Sequence, residues 1–232
     1  MQNPEMLKKI FGYLSSNRMD RYLKSVTTET RAFELYELNS KLGAKLWPAI
    51  QYYEVVLRNL VDKALSQTFS ENWIENESFL FALKVQKQNS IKSTIKSCAR
   101  ENKSFTKNDV IADLSLSIWL EVVSRKFLDQ VWSKCIDDIF PYRPHGQSVE
   151  CFIQELEERF KYIKTLRNRI AHHEPIYHLN IQNGIDAITF FLKATAPELL
   201  PVVNSHFQAS QDTKHKIKVV TKRNNKQEVN IP

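Results

Sequence analysis

Glycine is scarce. Four in 232 residues leave nothing from which to build a G-x-G-x-x-G turn or a P-loop, so dinucleotide-binding and NTPase readings are disfavoured. The three cysteines, Cys98, Cys135 and Cys151, are odd in number and form no C-x-x-C pair. They give no disulfide or zinc framework and read as reduced core thiols. Apolar runs are only a handful of residues long, far short of a membrane span, so no membrane partner is expected. The first thirty residues carry Lys8, Lys9, Arg18, Asp20 and Arg21 without an apolar stretch between them. No secretory signal is seen, and a cytoplasmic location is expected. A chain of this length buries enough apolar surface to fold without metals or disulfides, and no cofactor is called for.

What the chain does have is positive charge, unevenly placed. Lys and Arg number 33 against 26 Asp and Glu, a formal charge of +7. From Gln211 to Pro232 six basic residues face two acidic ones, so +4 of that charge lies in the last 22 residues. Such a segment reads as a flexible, disordered tail over 211–232, either solubilising or lending nonspecific attraction for a polyanion.

Apolar positions recur at threes and fours, which predicts an all-α protein, a helical bundle forming one domain over 1–210. Asn3-Pro4 starts a helix as an N-cap followed by Pro at the first helical position. Thr28 or Thr30 caps a helix that Gly43 interrupts, and Trp47-Pro48 starts or kinks a long segment to about Phe69. In it Leu46, Ile50, Tyr53, Leu57, Leu60 and Ala64 mark a core-facing stripe. Further helices are predicted at 78–100, 108–124, 127–140, 148–173, 181–194 and 197–208. The run from Phe140 to Gly146, with two prolines and a glycine, predicts a loop. Trp47, Trp119 and Trp132 are expected in the core, with base stacking by one of them as the alternative.

The informative stretch is Leu166-Arg167-Asn168-Arg169-Ile170-Ala171-His172-His173-Glu174-Pro175. The helix leading into it has a stripe of Val149, Ile153, Leu156, Phe160 and Ile163, and continuing that register lands on Arg167. A guanidinium on a core-facing stripe is expensive unless it is paired, or unless the stripe opens into a cleft or a subunit interface. Glu54 is the obvious partner. Pro175 stops the helix and leaves both histidines in its last turn, where the helix dipole favours positive charge. Two basic side chains and an amide converging on one helix end suit a phosphodiester. Metal-free RNA cleavage needs a base for the 2′-OH proton, an acid for the leaving 5′-oxygen and a cation for the phosphorane. One helix supplies part of that set, and a two-fold dimer through these helices completes it.

These residues resemble a known family. Arg167-Asn168-Arg169-Ile170-Ala171-His172 fits the R-N-x-x-x-H form of the R-x(4–6)-H motif of HEPN-domain ribonucleases, and the stretch from Leu166 to Ile176 resembles that of the Abi-like, abortive-infection branch. Ile50 to Asn59 resembles that family's E-x-x-L-R-N helix. Val110 to Trp119 resembles its L-S-F-G-x-W segment, with Leu116 and Ser117 where Phe and Gly are commoner. The likeness spans about 28–194.

The resemblance implies a HEPN-like helical bundle with additional helices and a metal-independent endoribonuclease site shared across a homodimer. The implied setting is abortive infection, phage defence or a toxin–antitoxin pair, with RNA as substrate and an antitoxin or inhibitory RNA or protein as a further partner. Carried over, Arg167 and His172 are the catalytic Arg and His, and Asn168 is the polar second position. His173 also satisfies the motif's spacing, and Arg169 and Glu54 support the site. Glu174 stands where a modified tyrosine occurs in another HEPN branch, and Tyr177 is out of register, which puts such regulation of this chain in doubt. Two other readings stay open: a noncatalytic HEPN dimer that binds RNA or a partner protein, and a helical scaffold in which Arg167 and His172 are structural.

Overall fold

The structure, a computed structural model, describes residues 3–222. Among them every regular element is a helix. The α-helices are α1 (Pro4–Leu14), α2 (Ser16–Leu23), α3 (Glu29–Thr68), α4 (Glu77–Ala82), α5 (Val85–Glu101), α6 (Lys107–Asp113), α7 (Leu116–Val122), α8 (Ser133–Ile139), α9 (Val149–Ala171), α10 (Ile181–Thr195) and α11 (Leu200–Lys222). A π-helical turn, Leu128–Trp132, leads into α8.

Contacts divide the chain into two compact units. Among the described residues the first comprises 3–50, 165–182 and 201–222, and the second Gln51–Lys164 and Asn183–Leu200. Helices α3 and α9 each contribute residues to both.

In the first unit the expected N-cap holds: Asn3 Oδ1 accepts from the Glu5 amide at 3.0 Å. The Gly43 break does not occur, and α3 runs unbroken through Gly43 and Pro48. Its length comes from a buried stripe of Leu35, Leu38, Leu42, Leu46 and Ala49, which rewards continuing the helix across two residues that disfavour it. Gly43 serves a close approach instead. A Cβ built there would lie 3.4 Å from Ile170 Cγ2.

The flexible tail also needs correction. Helix α11 reaches Lys222, so 211–222 is helical, while 223–232 lie outside the described residues. Val203, Phe207, Ser210, Thr213, Ile217 and Val220 are all buried and step by threes and fours. Two members are polar, which hid the stripe from a composition count; the Ser210 hydroxyl is satisfied by donating to the Phe207 carbonyl at 2.7 Å.

The second unit is built on aromatic contacts. Tyr53 meets Phe160 and Phe191 edge-on, each at 5.2 Å between centroids, and Phe140 meets Phe152 at 5.1 Å. Trp73 packs edge-on against Phe79 and Trp119, and its indole N–H donates to Asp62 at 2.7 Å. Trp119 and Trp132 are core residues as expected. So are Cys98 and Cys135, whereas Cys151 is exposed on α9. The segment from Phe140 to Gly146 is a loop, with Gly146 at φ +80°.

Candidate functional site

The site grows from the way α9 ends. The His173 amide bonds the Ile170 carbonyl at 3.0 Å and the Glu174 amide bonds the Arg169 carbonyl at 2.7 Å. These are the two bonds of a Schellman stop, which needs a left-handed residue after the cap. That residue is usually glycine; here it is His173, at φ 55°. A side chain in that region costs about 1–2 kcal/mol. Among the described residues the other non-glycine with positive φ is Ser15, at φ 68°, between α1 and α2.

The chain leaving this turn is fixed by residues that sequence reasoning passed over. Asn39, buried on α3, accepts from the Ile176 amide at 2.7 Å and the Tyr177 amide at 3.1 Å, and its side-chain amide donates to the Glu174 carbonyl at 3.3 Å. Arg18 on α2 donates to the His173 carbonyl at 2.6 Å. The Tyr177 hydroxyl donates to the Arg21 carbonyl at 3.0 Å and shares a 2.7 Å bond with Ser25, so it is held structurally. Asn39 gave no signal of its own, since an Asn amid a helical stripe reads as an exposed position. The pairing of Arg18 and Arg21 with a motif 150 residues away is invisible to spacing.

These contacts separate the expected site residues. His172 is exposed and opens into a polar recess of about 270 Å³ that Ser15, Asn17, Arg18, Arg21, Glu174 and Pro175 also line. Both strained residues border it: Ser15 lines it, and the His173 carbonyl receives Arg18. Arg167 lies elsewhere on the helix end, half-buried, with its guanidinium carbon 5.8 Å from the centre of the Trp47 ring. It does not occupy the core stripe; Leu166 does. Trp47, expected in the core, is 37% exposed and lines an apolar cleft of about 590 Å³ with Gly43, Ala44, Ile170 and His173. A cation over an indole face is stabilised by the ring quadrupole, which explains how Arg167 tolerates its position.

Arg169 is engaged in holding the turn. It donates to the Pro175 carbonyl at 3.0 Å and lies 3.4 Å from His178 Nε2. Burial, then the Arg169 charge, lowers the His178 pKa from its ordinary value. Asn168 is half-buried one turn before His172, whose amide bonds its carbonyl at 2.9 Å. Glu54 belongs to the second unit and is half-buried; burial first and the Glu54 carboxylate second push the Tyr53 hydroxyl well above its ordinary pKa. Among the described residues no three His, Cys, Asp or Glu gather as a metal-holding group, and no helix is long and apolar enough to cross a membrane.

A family model described as Abi-like protein matches residues 6–178. The chain belongs to the Abi-like protein family. The match begins earlier than the resemblance expected from 28–194, taking in α1 and α2 and with them Ser15, Arg18 and Arg21, and it ends at His178. Every residue lining the His172 recess thus falls within the Abi-like region. No curated protein and no solved structure matches the chain.

Proposed function

We propose that this Abi-like protein is a metal-independent endoribonuclease of the HEPN type, acting in abortive infection or as a toxin, with its site shared across a homodimer. The observation that carries the reading is the recess around His172. It joins an exposed imidazole to Arg18 and Arg21 where two turns meet, the one between α1 and α2 and the one ending α9, each with one residue in a strained backbone conformation, Ser15 and His173. Strain of that kind is retained where a precise placement is used. The recess offers a phosphodiester two fork-shaped donors and a proton-transfer group within one small polar space.

In the reaction His172 takes the proton of a ribose 2′-OH, the 2′-oxygen attacks phosphorus, and the bond to the 5′-oxygen breaks. The products are a 2′,3′-cyclic phosphate and a 5′-hydroxyl, the 5′-oxygen receiving its proton from an acid. That acid is the same His172, which passes on to the 5′-oxygen the proton it took from the 2′-OH, so one site needs one His172. Arg18 and Arg21 hold the phosphate, and Arg167 neutralises charge on the phosphorane. Trp47, exposed beside Arg167, is the one of the three expected core tryptophans placed to stack a splayed base.

The test is cleavage of total RNA in EDTA by wild type, His172→Ala and Arg167→Ala, with chemical identification of the new ends. We expect cyclic-phosphate ends from wild type. Each variant, folded and with its oligomeric state unchanged, should lose about 100-fold or more of the rate. Activity that vanishes on chelation and returns with Mg²⁺ sinks the proposal. The contact of Arg167 with Trp47 favours a second reading, a noncatalytic dimer whose Arg167 holds an interface. That reading predicts intact RNA and an Arg167→Ala chain that is monomeric.

A further inference from the structure

Within the second unit, the start of α5, the end of α7 with the turn after it, and one face of α9 enclose a cleft of about 690 Å³. Six cations line it: Lys84, Lys87, Arg125, Lys126, Lys161 and Lys164. Two carboxylates oppose them, Glu121 and Glu157. Both carboxylates are taken. Glu121 pairs with Lys126 at 3.6 Å and accepts from the Lys84 amide at 2.8 Å; Glu157 pairs with Lys161 at 3.4 Å and accepts from the Arg125 amide at 3.4 Å. Arg125 is paired with Glu150.

Three ammonium groups are left over. Among the described residues Lys84, Lys87 and Lys164 have no carboxylate within 4 Å. Lys87 is half-buried and donates to the Ser117 hydroxyl. Its pKa is lowered by burial, then by the Lys164 charge, with Glu121 opposing and Lys84 adding to the effect. Like charges crowded in a partly desolvated cleft are unfavourable on their own, and an anion seated between them reverses the sign of that energy. The lining also argues for the kind of anion. Its aromatic side chain is Phe160, which is buried, so the cleft presents no ring face to a base. Point charges without a stacking platform suit the repeating phosphates of a nucleic-acid backbone.

We propose that this cleft binds the sugar-phosphate backbone of RNA, with Lys84, Lys87 and Lys164 contacting phosphates, as a sequence-indifferent tract separate from the His172 recess. It rests on the reading of RNA as the substrate. A 2′-O-methyl oligonucleotide, which cannot be cleaved by 2′-OH attack, serves as the probe, with fluorescence anisotropy across a salt series as the readout. We expect Lys87→Gln/Lys164→Gln to weaken binding about tenfold or more and to reduce the salt slope by about 1.4, the loss of two phosphate contacts. Lys84→Gln/Lys164→Gln, which alters only exposed side chains, should do the same even if Lys87 proves needed for folding. Lys8→Gln/Lys9→Gln on α1 removes equal charge and should leave the slope unchanged. An unchanged slope in the cleft variants, an equal loss in the α1 control, no oligonucleotide binding by wild type, or preference for an acidic peptide overturns the proposal. Failure of the nuclease reading looks different: wild type binds through the cleft while unmodified RNA stays intact in EDTA.

Discussion

At the scale of single residues, His173 carries the most information. Spacing allows either His172 or His173 as the motif's histidine, and the backbone separates them. His172 projects into the recess with Arg18 and Arg21, whereas His173 occupies the left-handed position that ends α9. Glycine at 173 would relieve about 1–2 kcal/mol of strain and give back about 0.5–1 kcal/mol in unfolded-chain entropy. We therefore expect His173→Gly to raise stability by about 0.5–1 kcal/mol, read by urea unfolding, and to leave RNA cleavage within a fewfold of wild type. A cleavage loss equal to that of His172→Ala would assign proton transfer to both histidines. Arg167 was legible as a residue, but its contact with Trp47 was not. Periodicity put it on the core stripe, and a one-residue difference in register moved it out to Trp47 and left Leu166 inside.

At the scale of elements, the sequence located the helical segments and misjudged where several of them stop: the single helices expected over 78–100 and 108–124 are each two, α4 with α5 and α6 with α7. The loop from Phe140 to Gly146 and the buried run on α9, Ile153, Leu156, Phe160 and Ile163, were readable because apolar spacing and turn residues are local signals. Continuity of α3 through Gly43 and Pro48 was not, because it depends on burial along the whole helix. Helix α11 makes the sharpest case. Truncation after Ser210 removes a flexible tail on the sequence reading, but on the structure it removes the buried Thr213, Ile217 and Val220. Burying an Ile or Val stabilises by about 1.5–3 kcal/mol, so the truncated chain should lose about 3 kcal/mol or more in denaturant unfolding.

At the scale of the whole molecule, the separation of Arg167 from the His172 recess bears on assembly. A site that draws Arg167 from one copy and His172 from another needs no contact between them in one chain. Mixing inactive Arg167→Ala and His172→Ala proteins would then regenerate one intact site in each mixed dimer. We expect recovery of about a quarter of wild-type cleavage after co-refolding. No recovery, with mixed dimers present, would place both groups in a site within one chain.

The sequence by itself determined the helical class, the Abi-like resemblance, and the stretch from Leu166 to Pro175 as the place to look, because helix periodicity, caps and a contiguous motif are all local along the chain. Only the tertiary structure decided which groups meet there. Arg18 and Arg21 join His172, Trp47 joins Arg167, and Asn39 fixes the turn between them. Those neighbours lie more than a hundred residues from the motif, and sequence spacing carries no information about contacts that long-range packing creates.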